Sequence, residues 1–272
     1  MITANIIADS ISHVGKRITT LELVYPRFIH AEVMTHRAFS RNASSSRAIP
    51  VNKAVNMALD EMVYPVRWGK NQSGMQAKGE NLDEELSATA KLLWEYAARR
   101  CASAAQALGK MGVHKQWANR MIEWFSNIRV LVTATEWDNF FQLRDHPDAQ
   151  DEIQILAQEI KKAMANSTPV QRSHHTPYVE DWENEKWGFT DACKLSAARC
   201  CRVSYLKHDG TDPSYEEDMA LFDRLAGSRP IHASPLEHQG LSYKIGAKFS
   251  SRNFRGWIQF REMWEDGNEL EE

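Results

Sequence analysis

The chain has 272 residues, 43% of them hydrophobic and 25% charged, with a formal net charge of -3. This is ordinary globular composition, long enough to bury a sizeable core, and it offers no chain-wide attraction to nucleic acid or a membrane surface, so any phosphate site has to be local. No apolar run approaches the ~20 residues that span a bilayer, and the first residues lack the basic start and long apolar stretch of a signal peptide, so a cytoplasmic location is expected.

Residues 4–12 and 17–25 predict a β-hairpin around the turn 13–16, because Leu21, Leu23 and Tyr25 alternate with Glu22 and Val24. Pro26 suits a first helical position, and Phe28, Ile29, Val33 and Met34 follow at helical spacing. The run from Met34 to Pro50 then places His36, Arg37, Arg41 and Arg47 among Ser40, Asn42, Ser44, Ser45 and Ser46. Arg forks match phosphate oxygens, and short polar residues in a turn expose backbone N–H groups, so this is an anion site in outline, set against the plain reading of a solvated loop. A moderately helical stretch over 52–63 leads to loop chemistry at 64–74.

A long core helix is expected over 81–108, with Leu86, Ala90, Leu93, Ala97, Cys101, Ala104 and Leu108 at three- and four-residue steps. Its alanines make it slender enough for another helix or a partner subunit to approach closely. A further helical segment at 112–125 carries Arg120, and the β-branched run 128–133 predicts a strand. Thr133 and Glu136 have capping-box spacing for a helix that continues to Arg144. Pro147 is placed to start the next helix, in which Ile153, Leu156, Ala157, Ile160 and Met164 form one apolar stripe. The polar stretch 166–190 reads as a long loop, with the adjacent His174 and His175 as a solvated pair. Cys101, Cys193, Cys200 and Cys201 lack zinc spacing and are expected as buried thiols, with no metal.

Toward the end, Arg252, Arg255 and Arg261 interleave with Phe254, Trp257 and Phe260. This segment suits either stacking on a flat ring or RNA, or an amphipathic helix with snorkelling arginines; a site contribution is favoured because Gly256 costs helix stability.

Several motifs point to one family. His36-Arg37, then Asn42, then Ser45-x-Arg47 resembles the signature of the flavin-dependent thymidylate synthases, with Thr35 in place of that family's first Arg and Ala43 in place of its Glu. Asn139-Phe-Phe-Gln-Leu-Arg144 followed by Ala149-Gln-x-Glu-Ile153 matches the family's second block. Arg202-Val-Ser204, an acidic helix behind Pro213 and His232-x-Ser-Pro-x-Glu-His238 resemble the family's beginning, yet here they come last. The chain therefore looks circularly permuted, which is tolerated where termini lie close together on the surface.

The resemblance implies a single α+β domain over 1–272: an anion-loop and helical core over 1–165, the loop 166–190 and a permuted block over 191–272. A mixed or antiparallel sheet would be packed with helices, the C-terminal block completing its flavin-facing side, in a homotetramer whose subunits share active sites. The implied reaction is methylation at C5 of dUMP, with methylenetetrahydrofolate as carbon donor, FAD as redox centre and NADPH as reductant. Arg144 takes the ring-activating role; Glu32, Thr35, Ser44, Ser45, Ser46, Arg47 and Arg120 join it as nucleotide ligands. Thr35, His36, Arg37, Thr133, Thr135, Asn139, Ser204, His238 and Gly240 are placed at the flavin. Glu32, where relatives have Gln, raises cytosine as an alternative base and hydroxymethyl as an alternative group. A non-catalytic nucleotide- or RNA-binding relative, and a metal hydrolase built on His232, Glu237 and His238, are the competing classes.

Overall fold

The computed structural model describes residues 1–77, 79–203, 213–227, 229–242, 246 and 248–267. Strands β1 (Thr3–Ile11) and β2 (Arg17–Pro26) form the expected antiparallel hairpin, with a bulge between Ile6 and Ala8. After β2, a 3-10 turn over Arg27–Ile29 and the short helix α1 (His30–Met34) lead into β3 (Ser40–Ala43). Helix α2 (Val51–Asp60) is followed by α3 (Glu84–Lys110), α4 (Lys115–Ala118) and a 3-10 segment over Asn119–Phe125. Strand β4 (Asn127–Ala134), helices α5 (Asp138–Arg144) and α6 (Asp151–Ala165), and strand β5 (Val170–Gln171) complete the first part. The five-stranded sheet has the order β3-β4-β2-β1-β5; only the β1–β5 pair is parallel.

Strand periodicity divides this sheet into two buried faces. Leu21, Leu23 and Tyr25 of β2 and Val130 and Val132 of β4 pack on Ile153, Leu156, Ala157 and Ile160 of α6, where each fully buried aliphatic side chain contributes about 1.5–3 kcal/mol. The intervening residues face the C-terminal block: Ile18 meets Phe254 and Trp257, and Leu131 meets Cys200 and Val203. That block comprises β6 (His174–His175), α7 (Asp181–Cys201), α8 (Tyr215–Phe222), β7 (Gly240–Leu241), β8 (Ser250–Ser251), β9 (Phe254–Arg255), β10 (Ile258–Gln259) and α9 (Phe260–Glu265). Within it, β7 pairs with β6 and β10 in a separate three-stranded sheet.

Several expectations are corrected. The polar run after α1 contains a strand, because the open edge of β4 supplies backbone partners that outweigh the weak strand preference of Ser40-Arg-Asn-Ala43. Thr133 and Glu136 form no capping box: Thr133 lies within β4, Glu136 pairs with Lys16, and α5 starts from Trp137 without a side-chain cap. Pro147 precedes α6 by a turn, and Gln150 is that helix's N-cap. The stretch 166–190 is not one loop, since it holds β5, β6 and the start of α7, which a Glu180/Glu183 capping box initiates and Gly188 (φ +69°) kinks. His175 is fully buried rather than solvated, and His174 stacks on Phe189 at 4.3 Å.

On α3 the expected stripe is not the buried one. Ala102 and Ala105 face α2 with Cys101 packed beside them and Ala98 is buried, whereas Leu86, Leu93 and Ala97 are exposed. The C-terminal aromatics are no stacking platform, because Phe254, Trp257 and Phe260 are buried, and Arg252 and Arg261 pair with Glu265. Gly256 sits in a turn at φ +67°, a left-handed conformation that suits glycine, and not in a helix. Cys193, Cys200 and Cys201 are buried free thiols, and burial pushes Cys201 up to about 11.

Candidate functional site

Helix α5 ends at Arg144, and its guanidinium reaches across to the turn that follows α1. Nε donates to His36 Nε2 at 2.9 Å, and Nη2 donates to Thr35 Oγ1 at 3.2 Å and to the Glu32 carbonyl at 3.4 Å. Two distant segments are thereby clamped into one geometry. His36 packs edge-on against Phe140 at 4.9 Å and beside Phe39, within an aromatic group that includes Trp137. Burial, then the neighbouring Arg144 and Arg41 charges, lower its pKa to about 4. His36 is therefore neutral near pH 7, and Nε2 accepts from Arg144, which puts its proton on Nδ1.

Beside this clamp lies a cleft of about 620 Å³ lined by Thr35, His36, Arg37, Ala38, Phe39, Glu136, Asp138, Asn139, Phe140, Gln142 and Leu143. Arg37 and Asn139 are exposed on its wall, and no ion pair engages the Arg37 guanidinium among the described residues. The wall thus offers a free cation, an amide and an apolar aromatic floor, the combination that a flat ring carrying an anionic group requires.

The second cluster sits beyond the other end of β3, about 10 Å of strand away. Ser44 bridges to β4, its Oγ accepting from the Arg129 N–H at 3.1 Å. Ser46 Oγ donates to Glu123 at 2.6 Å, and the Asn119 amide donates to the Ser46 carbonyl at 2.8 Å, fixing the 3-10 turn Ser46–Ala48. Arg47 is exposed on that turn, its Nε contacting Ser45 Oγ at 3.4 Å, while Arg120 pairs with Glu123 at 3.0 Å. Ser44, Ser45, Ser46, Arg47 and Arg120 therefore form one group, and Glu32, Thr35, His36, Arg37, Asn139 and Arg144 another; none of the first group lines the 620 Å³ cleft.

Other candidates are placed differently. Thr135 spends its hydroxyl accepting from the Arg255 N–H. Thr133 and His238 are fully buried and Gly240 is buried, and none of the three lines the cleft. Thr133 and His238 bond each other, and a Cβ at Gly240 would lie 3.2 Å from the Trp257 ring, so close packing explains that glycine. Ser204 lies outside the described residues. His232, Glu237 and His238 do not assemble a metal site: Glu237 pairs with Arg261, His238 is sealed inside, and among the described residues no three His, Cys, Asp or Glu side chains group around a cation.

Sequence reasoning missed Glu123, the acceptor shared by Ser46, Arg120 and Arg27, although its three-residue spacing from Arg120 on a helical segment is a legible signal. It also missed Glu136, Asp138 and Gln142 on the cleft wall, which no motif marks.

The UMP/dUMP methylase PolB from Streptomyces cacaoi bound with 5-Br dUMP is 16% identical to this chain, with a TM-score of 0.45 over 61% of this chain and 90% of that one. The same protein bound with 5-Br UMP gives 15% identity and a TM-score of 0.48 over 61% and 89%. No match is found among curated protein sequences. The thymidylate synthase complementing protein family matches residues 16–170, from the start of β2 through the first residue of β5, and that span contains both clusters around β3. Covering more than half of the chain, the match assigns it to the thymidylate synthase complementing protein family.

Proposed function

We propose that this protein is a flavin-dependent methylase acting at C5 of a pyrimidine deoxynucleoside monophosphate, dUMP to dTMP, with methylenetetrahydrofolate and NADPH as cosubstrates. The observation that carries the reading is the Arg144–His36–Thr35 clamp beside an aromatic-floored cleft, in a chain of this family. Pyrimidine C5 is a weak nucleophile that gains electron density when negative charge at the N3–O2 side of the ring is stabilised. A fixed guanidinium does this without surrendering its proton. Arg144 is already oriented by three acceptors, so little reorganisation opposes its use.

The residues present fit FAD. Arg37 and Asn139 are exposed on the cleft wall, and His36 is a neutral ring at its base. Thr35, His36, Arg37 and Asn139 would hold the group, and when bound it supplies the hydride chemistry that the side chains lack. Arg47 and the Ser44–Ser46 turn are the proposed phosphate grip, with Arg120 beside them.

Because none of the Arg47 group lines the cleft beside Arg144, we assign Arg47 and Arg144 to one nucleotide across a subunit boundary, in a homotetramer. The exposed apolar side of α3, with Leu86, Leu92, Leu93 and Tyr96, supplies a surface for such packing. Circular permutation belongs to the same reading: the turn Ser234–Glu237, late in the chain, packs on β3.

One observation favours cytosine as a second reading. Glu32 Oε2 is buried without a hydrogen-bond partner among the described residues, and a carboxylate beside an Arg fork complements an amino group next to two ring acceptors. Incubating the protein with FAD, NADPH and carbon-labelled methylenetetrahydrofolate, with dUMP or dCMP in parallel, tests both readings. Flavin-dependent label in dTMP supports the first and label in a 5-substituted dCMP the second. Label in neither removes the activity.

A further inference from the structure

Glu123, in the 3-10 segment before β4, gathers donors from three parts of the chain onto one carboxylate. Ser46 Oγ donates to its Oε1 at 2.6 Å, Arg120 Nη1 donates to Oε1 and Oε2 at 3.0 Å each, and Arg27 Nη1 lies 3.6 Å from Oε1. The Glu123 and Arg27 side chains are 18% and 17% exposed, whereas Arg120 is 54% exposed and opens the cluster to solvent. One hydroxyl and two guanidinium groups converging on a pair of anionic oxygens form the donor set that a phosphate monoester takes.

Counting hydrogens makes the two uses exclusive. The Ser46 hydroxyl has a single hydrogen and Glu123 holds it, so Ser46 cannot donate to a phosphate oxygen while that bond stands. Arg27 Nε is in turn a buried N–H with no acceptor among the described residues, so the carboxylate leaves the cluster short of acceptors. A phosphate brings three acceptor oxygens and up to two negative charges, against two oxygens and one charge on Glu123. Two guanidinium groups on one carboxylate also leave an excess positive charge that favours the dianion. The turn does not depend on Glu123 alone. The Asn119 amide donates to the Ser46 and Ile49 carbonyls at 2.8 and 2.9 Å, which holds Ser46–Ala48 in shape when the carboxylate lets go.

We infer that Glu123 is a stand-in anion: its carboxylate fills the phosphate position until a phosphate monoester displaces it and takes over the Ser46 hydroxyl and the Arg27 and Arg120 guanidinium groups. Glu123 thereby sets a threshold for entry, selecting nucleoside monophosphates over nucleosides, and Arg27 joins the grip as a further ligand. That the displacing phosphate belongs to a pyrimidine nucleotide rests on the function proposed above; the exchange does not.

Calorimetric titration of the full-length protein with inorganic phosphate and, separately, with dUMP reads the exchange. Glu123→Gln keeps the size and an acceptor oxygen but removes the competing charge, so both ligands should bind about ten-fold more tightly. Phosphate binding that is unchanged or weaker in Glu123→Gln, as a carboxylate that only braces the turn requires, overturns the inference. A crystal structure of the wild-type protein with phosphate needs no variant: phosphate should lie on Ser46 Oγ with Glu123 turned away. A Ser46–Glu123 bond that persists at saturating phosphate overturns the inference as well. Tighter phosphate binding by the variant, with no dUMP bound by either protein, upholds the exchange and sinks the nucleotide reading.

Discussion

Arg144 bears on His36 in two ways that one substitution separates. Its Nε occupies the imidazole Nε2, and its charge helps burial and Arg41 lower the His36 pKa to about 4. In Arg144→Ala the charge is gone and burial remains, so the His36 pKa should rise above 4 while staying below the ordinary 6.5. A proton NMR titration of the C2 resonance checks this, and an unchanged or lower value would contradict the geometry. The same variant should lose methylation by about 10²-fold or more while keeping its fold, as expected for removal of a fixed charge-stabilising donor. Glu32 and Ala43 mark where this chain departs from the motif it otherwise follows, and they were legible as departures in the sequence. His175 was not: two adjacent histidines in a polar stretch look solvated, and only the pairing of β6 with β7 carries the second one into the interior.

Among the elements, β2 and α6 were readable because each has one strong period, and β4 because its β-branched apolar run is continuous. β3 was hidden because Ser40-Arg-Asn-Ala43 has no apolar alternation; it is a strand through the hydrogen bonds that β4 offers. α3 was readable as a helix but not in its orientation. Apolar residues surround it, and the face turned to α2 is the alanine one, leaving Leu92 and Leu93 about 65% exposed. Subunit packing is the expected cover for that side. Leu93→Glu should therefore shift the protein to a smaller species in sedimentation analysis with no loss of helical circular dichroism, because the side chain is 64% exposed within the chain. A monomeric wild-type protein, or a variant of unchanged size, would remove α3 from the interface.

For the whole molecule, acid sensitivity follows from its buried imidazoles. His36 has a folded pKa of about 4, and His175 and His238 of about 3, against about 6.5 unfolded. Folded values below unfolded ones mean that the unfolded chain binds more protons in between. The stability they contribute is thus fully present above pH 6.5 and is lost as pH falls through that window. Tm should already drop between pH 6.5 and 5, above the carboxylate range; a flat Tm there would contradict the burial of these rings.

The arrangement on either side of β3 leads to the central claim, that one nucleotide is held by Arg47 of one subunit and Arg144 of another. Arg47→Ala and Arg144→Ala proteins should each be inactive alone. The decisive measurement is the dTMP-forming activity of the two variants after they are mixed, dissociated and reassembled. Mixed oligomers contain some sites with both arginines intact, so activity should reappear, up to about a quarter of the wild-type level. Complete inactivity in demonstrably mixed oligomers would contradict the shared site.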